Sequence, residues 1–166
     1  MNESHASISV ETPIGTFECI ATDDAVVALR PWRNGFSAPE RRAPILVRAK
    51  QELEGYFAGE RRAFSVPVAP RGTEFQRAVW TELQRIPAGA TQSYGEIAMR
   101  LGLPNAARAV GRANATNPIA IIVPCHRVIG ANGSLTGYAW GTDKKAWLLE
   151  HERKSVASVA VPKSPS

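Results

Sequence analysis

At 166 residues and 17.9 kDa, with 44% hydrophobic and 21% charged side chains, the chain has the composition of a globular protein of one domain or two small ones. It has no run of about 18 apolar residues, which excludes a membrane-spanning helix. The start, Met1-Asn2-Glu3-Ser4-His5, lacks the basic and apolar regions of a secretory signal, so a cytoplasmic protein, or a nuclear one, with Cys19 and Cys125 as reduced thiols is expected. The net charge of +5 is uneven: residues 1–69 carry eight Lys/Arg against nine Asp/Glu, and residues 70–166 carry twelve against six. A basic second part suits an acidic partner, nucleic acid being the commonest, although a solvated basic surface fits the charge equally well.

Short runs at 8–11, 15–21 and 25–30 read as strands, separated by Thr12-Pro13-Ile14-Gly15 and Thr22-Asp23-Asp24, both good turn sequences. Ile45, Leu46, Ala49, Leu53 and Tyr56 recur at helical spacing and predict a helix over 44–57. Residues 64–68 read as a last short strand. Pro67-Val68-Ala69-Pro70-Arg71-Gly72 reads as a linker, with the domain boundary between residues 70 and 71.

The second part reads as mostly helical. Thr73 caps a helix whose one face carries Phe75, Val79, Trp80 and Leu83, and Ile86-Pro87-Ala88-Gly89 ends it. Ser93 and Glu96 form a capping box that opens a short helix, with Gly102 just past its end. Pro104 suits the first turn of the next helix, which extends to about Asn114, so the pair has a helix-turn-helix layout. Residues 119–123 form an apolar run that must be buried. A last helix is expected over 144–153, and 155–166 reads as a flexible tail.

Two features carry chemistry. The first is Ala106-Ala107-Arg108-Ala109-Val110-Gly111-Arg112-Ala113, where side chains are nearly all small and two arginines stand at i and i+4. Such a helix can approach a DNA groove closely while Arg108 and Arg112 reach phosphates; it can equally be a tightly packed internal helix. The second is Pro124-Cys125-His126-Arg127, which follows directly on the apolar run. Its basic neighbours are expected to lower the Cys125 pKa toward the nucleophilic thiolate. No Cys-x-x-Cys pair or other zinc spacing is present, so no metal is expected. Adjacent residues in extended chain point opposite ways, so a water is the simplest relay between Cys125 and His126. A histidine base needs an orienting carboxylate. On the last helix Glu152 lies close to Leu148 in the helical projection, whereas Glu150 lies on the far side, so Glu152 is the choice.

At these residues the chain resembles the O6-alkylguanine-DNA alkyltransferases, also called methylated-DNA–protein-cysteine methyltransferases. The resemblance runs from about Arg71 to Glu152. It rests on Gly72-Thr73-x-Phe75-Gln76, Ser93-Tyr94, Ala107-Arg108-Ala109-Val110-Gly111, Asn117-Pro118, Pro124-Cys125-His126-Arg127-Val128, Gly137-Tyr138 and Leu148-Leu149-x-x-Glu152. It implies an α/β (α+β) architecture: a small N-terminal ribonuclease-H-like sheet domain over 1–70, and a mostly helical domain with a DNA-binding helix-turn-helix over 71–154. It implies a stoichiometric enzyme that moves the alkyl group from O6-alkylguanine, and from O4-alkylthymine, in duplex DNA to its own Cys125. His126 takes the thiol proton through a water and Glu152 orients it. Tyr94 donates to the guanine as it leaves, and Asn117 braces the turn that carries Cys125. Arg108 fills the gap left by the extruded nucleotide, and Ala107, Ala109 and Arg112 also face DNA. Val128, Tyr138, Ala139 and Trp140 line the alkylguanine pocket, with the carbonyls of Cys125 and Val128 reading the base edge.

The same resemblance implies no cofactor, no membrane, no obligate protein partner and a monomer. Some members hold zinc in the N-terminal domain, but His5 and Cys19 do not fall on that pattern. Many have two glycines after the tyrosine where this chain has Ala139-Trp140-Gly141, so a crowded alkyl pocket is expected. The alternative is a lesion-binding protein of the same scaffold without transfer chemistry, which lacks the cysteine that is present here. A sequence-reading helix-turn-helix regulator would need polar side chains where residues 106–113 offer mostly alanine. A papain-like hydrolase would hold its Cys and His far apart in sequence.

Overall fold

The computed structural model describes residues 4–135 and 138–160; Gly137 of the Gly-Tyr motif and residues 161–166 of the expected tail lie outside the described residues. Three strands, β1 (Ala6–Thr12), β2 (Gly15–Ala21) and β3 (Val26–Pro31), form an antiparallel sheet in the order β1-β2-β3. The first turn closes because the Thr12 hydroxyl donates to Gly15 O at 2.6 Å and accepts from Ile14 N at 3.1 Å, while Gly15 takes a φ of +116° that its missing Cβ permits. One sheet face meets α1 (Pro44–Phe57), burying Phe17, Cys19 and Leu29 together with Leu46, Ala49 and Leu53. Pro44 at the first position presets the helical φ, and the Leu46-Ala49-Leu53-Tyr56 stripe supplies the buried face.

The outer edge of β3 is covered rather than left open. Val26 N donates to Pro67 O and Ala69 N to Val26 O, both at 2.9 Å, so the linker pairs where a strand over 64–68 is expected; only the single bridge Val26–Val68 forms. Further along, Leu29 N donates to Pro118 O and Ala120 N to Leu29 O, each at 2.9 Å. The segment leading to Cys125 is therefore hydrogen-bonded directly to the N-terminal sheet.

The second part contains α2 (Glu74–Leu83), α3 (Tyr94–Arg100), α4 (Ala107–Ala115) and α5 (Thr142–Ala160). Complete capping boxes, Thr73 with Gln76 and Ser93 with Glu96, open α2 and α3. The α4 helix starts at Ala107, three residues later than Pro104 implies, because 104–106 is spent on the turn between the helices. Two-residue strands β4 (Gln92–Ser93) and β5 (Val128–Ile129) pair in parallel and bring the start of α3 beside the segment after Cys125. The α5 helix continues to Ala160, so the flexible tail expected from residue 155 does not begin there. Val156 packs on the Gly89 turn and Ser155 lies beside Gly59, tertiary contacts that periodicity does not reveal. Among the described residues no helix is long and apolar enough to cross a membrane.

Trp80 ties the second part together. Its indole N–H donates to Ala113 O at 2.8 Å, and its ring lies on Gly72, where a Cβ would sit 2.5 Å from Trp80 Cη2 and 2.7 Å from Gln76 Oε1. Gly72→Ala is expected to cost about 1–3 kcal/mol through this overlap. Denaturant unfolding checks it, and an unchanged midpoint would show that the linker yields freely.

Candidate active site

Cys125 sits at the start of a 3-10 turn, Cys125–Arg127, at the end of the buried run 119–123. The chain reaches it through a sharp reversal. Ile121 holds a φ of +69°, a left-handed conformation that a β-branched side chain rarely adopts. Asn117 pins both ends of the reversal: its Nδ2 donates to Val123 O at 2.8 Å and Ile119 O at 3.1 Å, and its Oδ1 accepts from Ile119 N at 3.0 Å. Asn117 thus occupies the place of a brace behind Cys125.

Burial pushes the Cys125 thiol up to about 11, against a hydrogen bond from the Asn117 side chain and the cation of Lys145. The expected lowering by His126 and Arg127 is absent, because both are turned toward Glu152. The resting group is a protonated thiol and needs a base at the moment of reaction.

Behind the thiol lies a buried polar cluster. Glu152 Oε2 accepts from His126 Nε2 at 2.7 Å, from Arg127 Nη2 at 2.8 Å and from Tyr56 Oη at 2.7 Å, while Oε1 accepts from Arg127 Nε at 2.9 Å. Arg127 also donates to Ile86 O at 2.6 Å. Burial alone would raise the Glu152 pKa, but hydrogen bonds and charge from His126 and Arg127 outweigh it and hold the carboxyl well below the usual range. With the carboxylate accepting at Nε2, His126 is the Nε2–H tautomer and its Nδ1 keeps a lone pair. That nitrogen is buried and has no hydrogen-bond partner among the described residues. Burial lowers the His126 pKa, against the pull of Glu152, so the imidazole is neutral at physiological pH and able to act as a base.

Tyr94 begins α3, half-buried against Gly111, with its pKa raised by burial and by the neighbouring Cys125. Tyr138 is buried beside the site, its pKa raised by burial and then by Cys125 and Glu152. Ala139 is exposed. Trp140 is half-buried, edge-on to Tyr138 at 5.4 Å, and lines a cleft with Pro31 and Arg33 of the N-terminal part. Its indole therefore spans from Tyr138 to the sheet domain. Both carbonyls assigned to base reading are already engaged: Cys125 O accepts from Asn114 Nδ2 at 3.3 Å and from Val128 N–H, and Val128 O accepts from Lys145 Nζ at 2.5 Å. On α4, Arg108 and Arg112 are exposed and Ala107 and Ala109 are half-buried, while Val110, Ala113 and Asn114 face inward. Glu150 is exposed and paired with Arg153.

Sequence reasoning missed Tyr56, Lys145, Asn114 and the pairing of Arg127 with Glu152. Lys145 was within reach, because Lys145, Leu148 and Glu152 stand at i, i+3 and i+7 on the inward face of α5. Asn114 follows Val110 by one turn in the same way. Tyr56 carried only the general signal that a buried tyrosine hydroxyl needs a partner. Among the described residues no three His, Cys, Asp or Glu side chains cluster as metal ligands do.

Two family models match the chain: 6-O-methylguanine DNA methyltransferase, ribonuclease-like domain, over residues 7–70, and 6-O-methylguanine DNA methyltransferase, DNA binding domain, over residues 74–154. A methylated-DNA–protein-cysteine methyltransferase of Mycolicibacterium paratuberculosis is 49% identical over 153 residues, spanning 88% of this chain and 91% of that one. The constitutive methylated-DNA–protein-cysteine methyltransferase of Bacillus subtilis is 46% identical over 156 residues, 89% of this chain and 94% of its own. The fold superposes on a crystal structure of Mycobacterium tuberculosis OGT in complex with DNA with a TM-score of 0.83, at 46% identity over 92% of this chain and 94% of that one. Fold, site and relatives agree: the chain belongs to the methylated-DNA–protein-cysteine methyltransferase family.

Proposed function

We propose that this protein repairs alkylated DNA by moving the alkyl group from guanine O6, and from thymine O4, to Cys125. The observation that carries this reading is a buried thiol adjoining a neutral histidine whose other nitrogen is held by an ionised glutamate. The Cys125 proton passes through a water to His126 Nδ1, and the imidazolium formed is held by Glu152. The sulfur attacks the alkyl carbon; the S–C bond forms as the C–O6 bond breaks, and the electron pair goes to the guanine. Tyr94 donates to guanine N3 as that charge develops. A thioether does not hydrolyse, so each molecule reacts once. Titrating O6-methylguanine duplex with the protein tests this: repair should end at one lesion per molecule, and repeated turnover would refute it.

A duplex base cannot reach a buried sulfur, so the target nucleotide must leave the stack. The small face of α4 enters the minor groove, Arg108 occupies the vacated space, and Arg112 meets phosphate. Arg108→Ala should slow repair of duplex by about tenfold or more, the equivalent of about 1.4 kcal/mol. Reaction with free O6-alkylguanine base should be nearly unchanged. Equal losses on both substrates would remove Arg108 from extrusion.

A further inference from the structure

Tyr56 belongs to the N-terminal domain, 96 residues away from Glu152 in sequence, yet its hydroxyl donates to the same oxygen, Oε2, that holds His126. The tyrosine is 1% exposed and the glutamate 1%. It is fixed in place by more than this bond: its ring lies 5.0 Å from Phe57, 5.4 Å from Phe64 and 5.2 Å from His151, and its carbonyl accepts from His151 Nε2 at 2.7 Å. The hydroxyl is thus delivered to the carboxylate by a rigid aromatic cluster, and three donors share one oxygen.

We propose that Tyr56 is a positioning residue of the transfer reaction, by which the N-terminal domain sets how strongly Glu152 holds the imidazole. This rests on the relay reading given under Proposed function. Each donor on Oε2 withdraws part of the carboxylate's charge. Arg127 contributes a bidentate pair from the 3-10 turn and Tyr56 a neutral bond from α1; among the described residues Lys145 on α5, Tyr138, Cys125 beside Tyr138, and His151 on α5 against the Tyr56 ring are the other ionisable groups facing the cluster. Removing the hydroxyl concentrates negative charge at the atom facing His126 Nε2. The imidazolium is then favoured, so His126 holds its proton more tightly and is neutral only at higher pH. The domain that does not carry the thiol thereby tunes the base that serves it. That fits a fold in which β3 is also hydrogen-bonded to the Cys125 segment.

The test is the pH dependence of single-turnover transfer from O6-methylguanine duplex, at saturating protein, using the full chain. In the parent the rate falls on the acid side as His126 protonates, and this limb is absent from the residual rate of His126→Gln. In Tyr56→Phe the limb should move up by about 0.5–1 pH unit. Replacing Tyr56 by 3-fluorotyrosine keeps the shape and strengthens the donor, so the limb should move down. A limb unmoved in both variants would overturn the proposal. A purely structural tyrosine lowers the rate or the stability without shifting the limb. Should Tyr56→Phe fail to fold, the fluorotyrosine protein decides alone, by the direction of its limb. An acid limb that persists in His126→Gln would instead overturn the relay itself, a different result from an unmoved limb in the Tyr56 variants.

Discussion

Cys125→Ser should abolish alkyl transfer completely while leaving duplex binding at the parental level. The two side chains are close in size, and the residue is only 2% exposed, so the packing is kept. The chemistry is not kept. A serine hydroxyl is a far weaker nucleophile toward an alkyl carbon at neutral pH than a thiol or thiolate. On the proposed reading DNA affinity resides elsewhere, with Arg108 and Arg112 of α4, both exposed, and with phosphate contacts that weaken as salt rises. Transfer assays with a labelled methyl group and a parallel binding titration separate the two properties. Label appearing on the serine variant at one equivalent would place the acceptor at another residue.

The second large effect falls on stability as well as on rate. Glu152→Gln replaces a carboxylate that accepts four hydrogen bonds with an amide that must turn a donor toward donors. Arg127, 5% exposed, is left as a buried cation without its counter-ion. Breaking a buried pair in this way costs about 3–5 kcal/mol, enough to be plain in a denaturant midpoint. The loss of orientation at His126 should slow transfer by about 100-fold or more, the contribution of a positioned general base. The pH dependence follows from the same carboxyl. Its native pKa is depressed, so its contribution is complete above the unfolded value of about 4.3 and is lost as pH falls toward the native value. Parental stability should therefore decline below about pH 4.3, and the Glu152→Gln protein should show that decline less steeply. A midpoint for Glu152→Gln equal to the parent's would mean that the cluster does not stabilise the fold.

Much of the fold was legible because local rules and tertiary demands coincide in this chain. The 44–57 helix was bounded by Pro44 and by an apolar stripe that the core then uses, and both capping boxes were written in side chains three apart. Glu152 was found because helical projection placed it beside Leu148. Apart from Lys145, Asn114 and the start of α4, the misses depend on contacts distant in sequence. The strand expected at 64–68 became an edge-covering linker because β3 needed partners along its open side. The last helix ran on past residue 154 because Ser155 and Val156 have Gly59 and Gly89 to pack against. The thiol's pKa was misjudged because adjacency in sequence was taken for adjacency in space. His126 and Arg127 point at Glu152, while the groups acting on the sulfur are Asn117 and Lys145, eight and twenty residues away in the numbering. Tyr56 could not be assigned to the site from the sequence, since nothing local connects α1 to α5.

The most direct test of the account is the mass of the protein after reaction. Incubating it with a slight excess of O6-methylguanine duplex and measuring the intact mass should show one added methyl group on every molecule. Proteolysis should locate that group on the peptide containing Cys125, with Cys19 unmodified. An unchanged mass, or a methyl group on any other residue, would contradict the assignment of Cys125 as the acceptor.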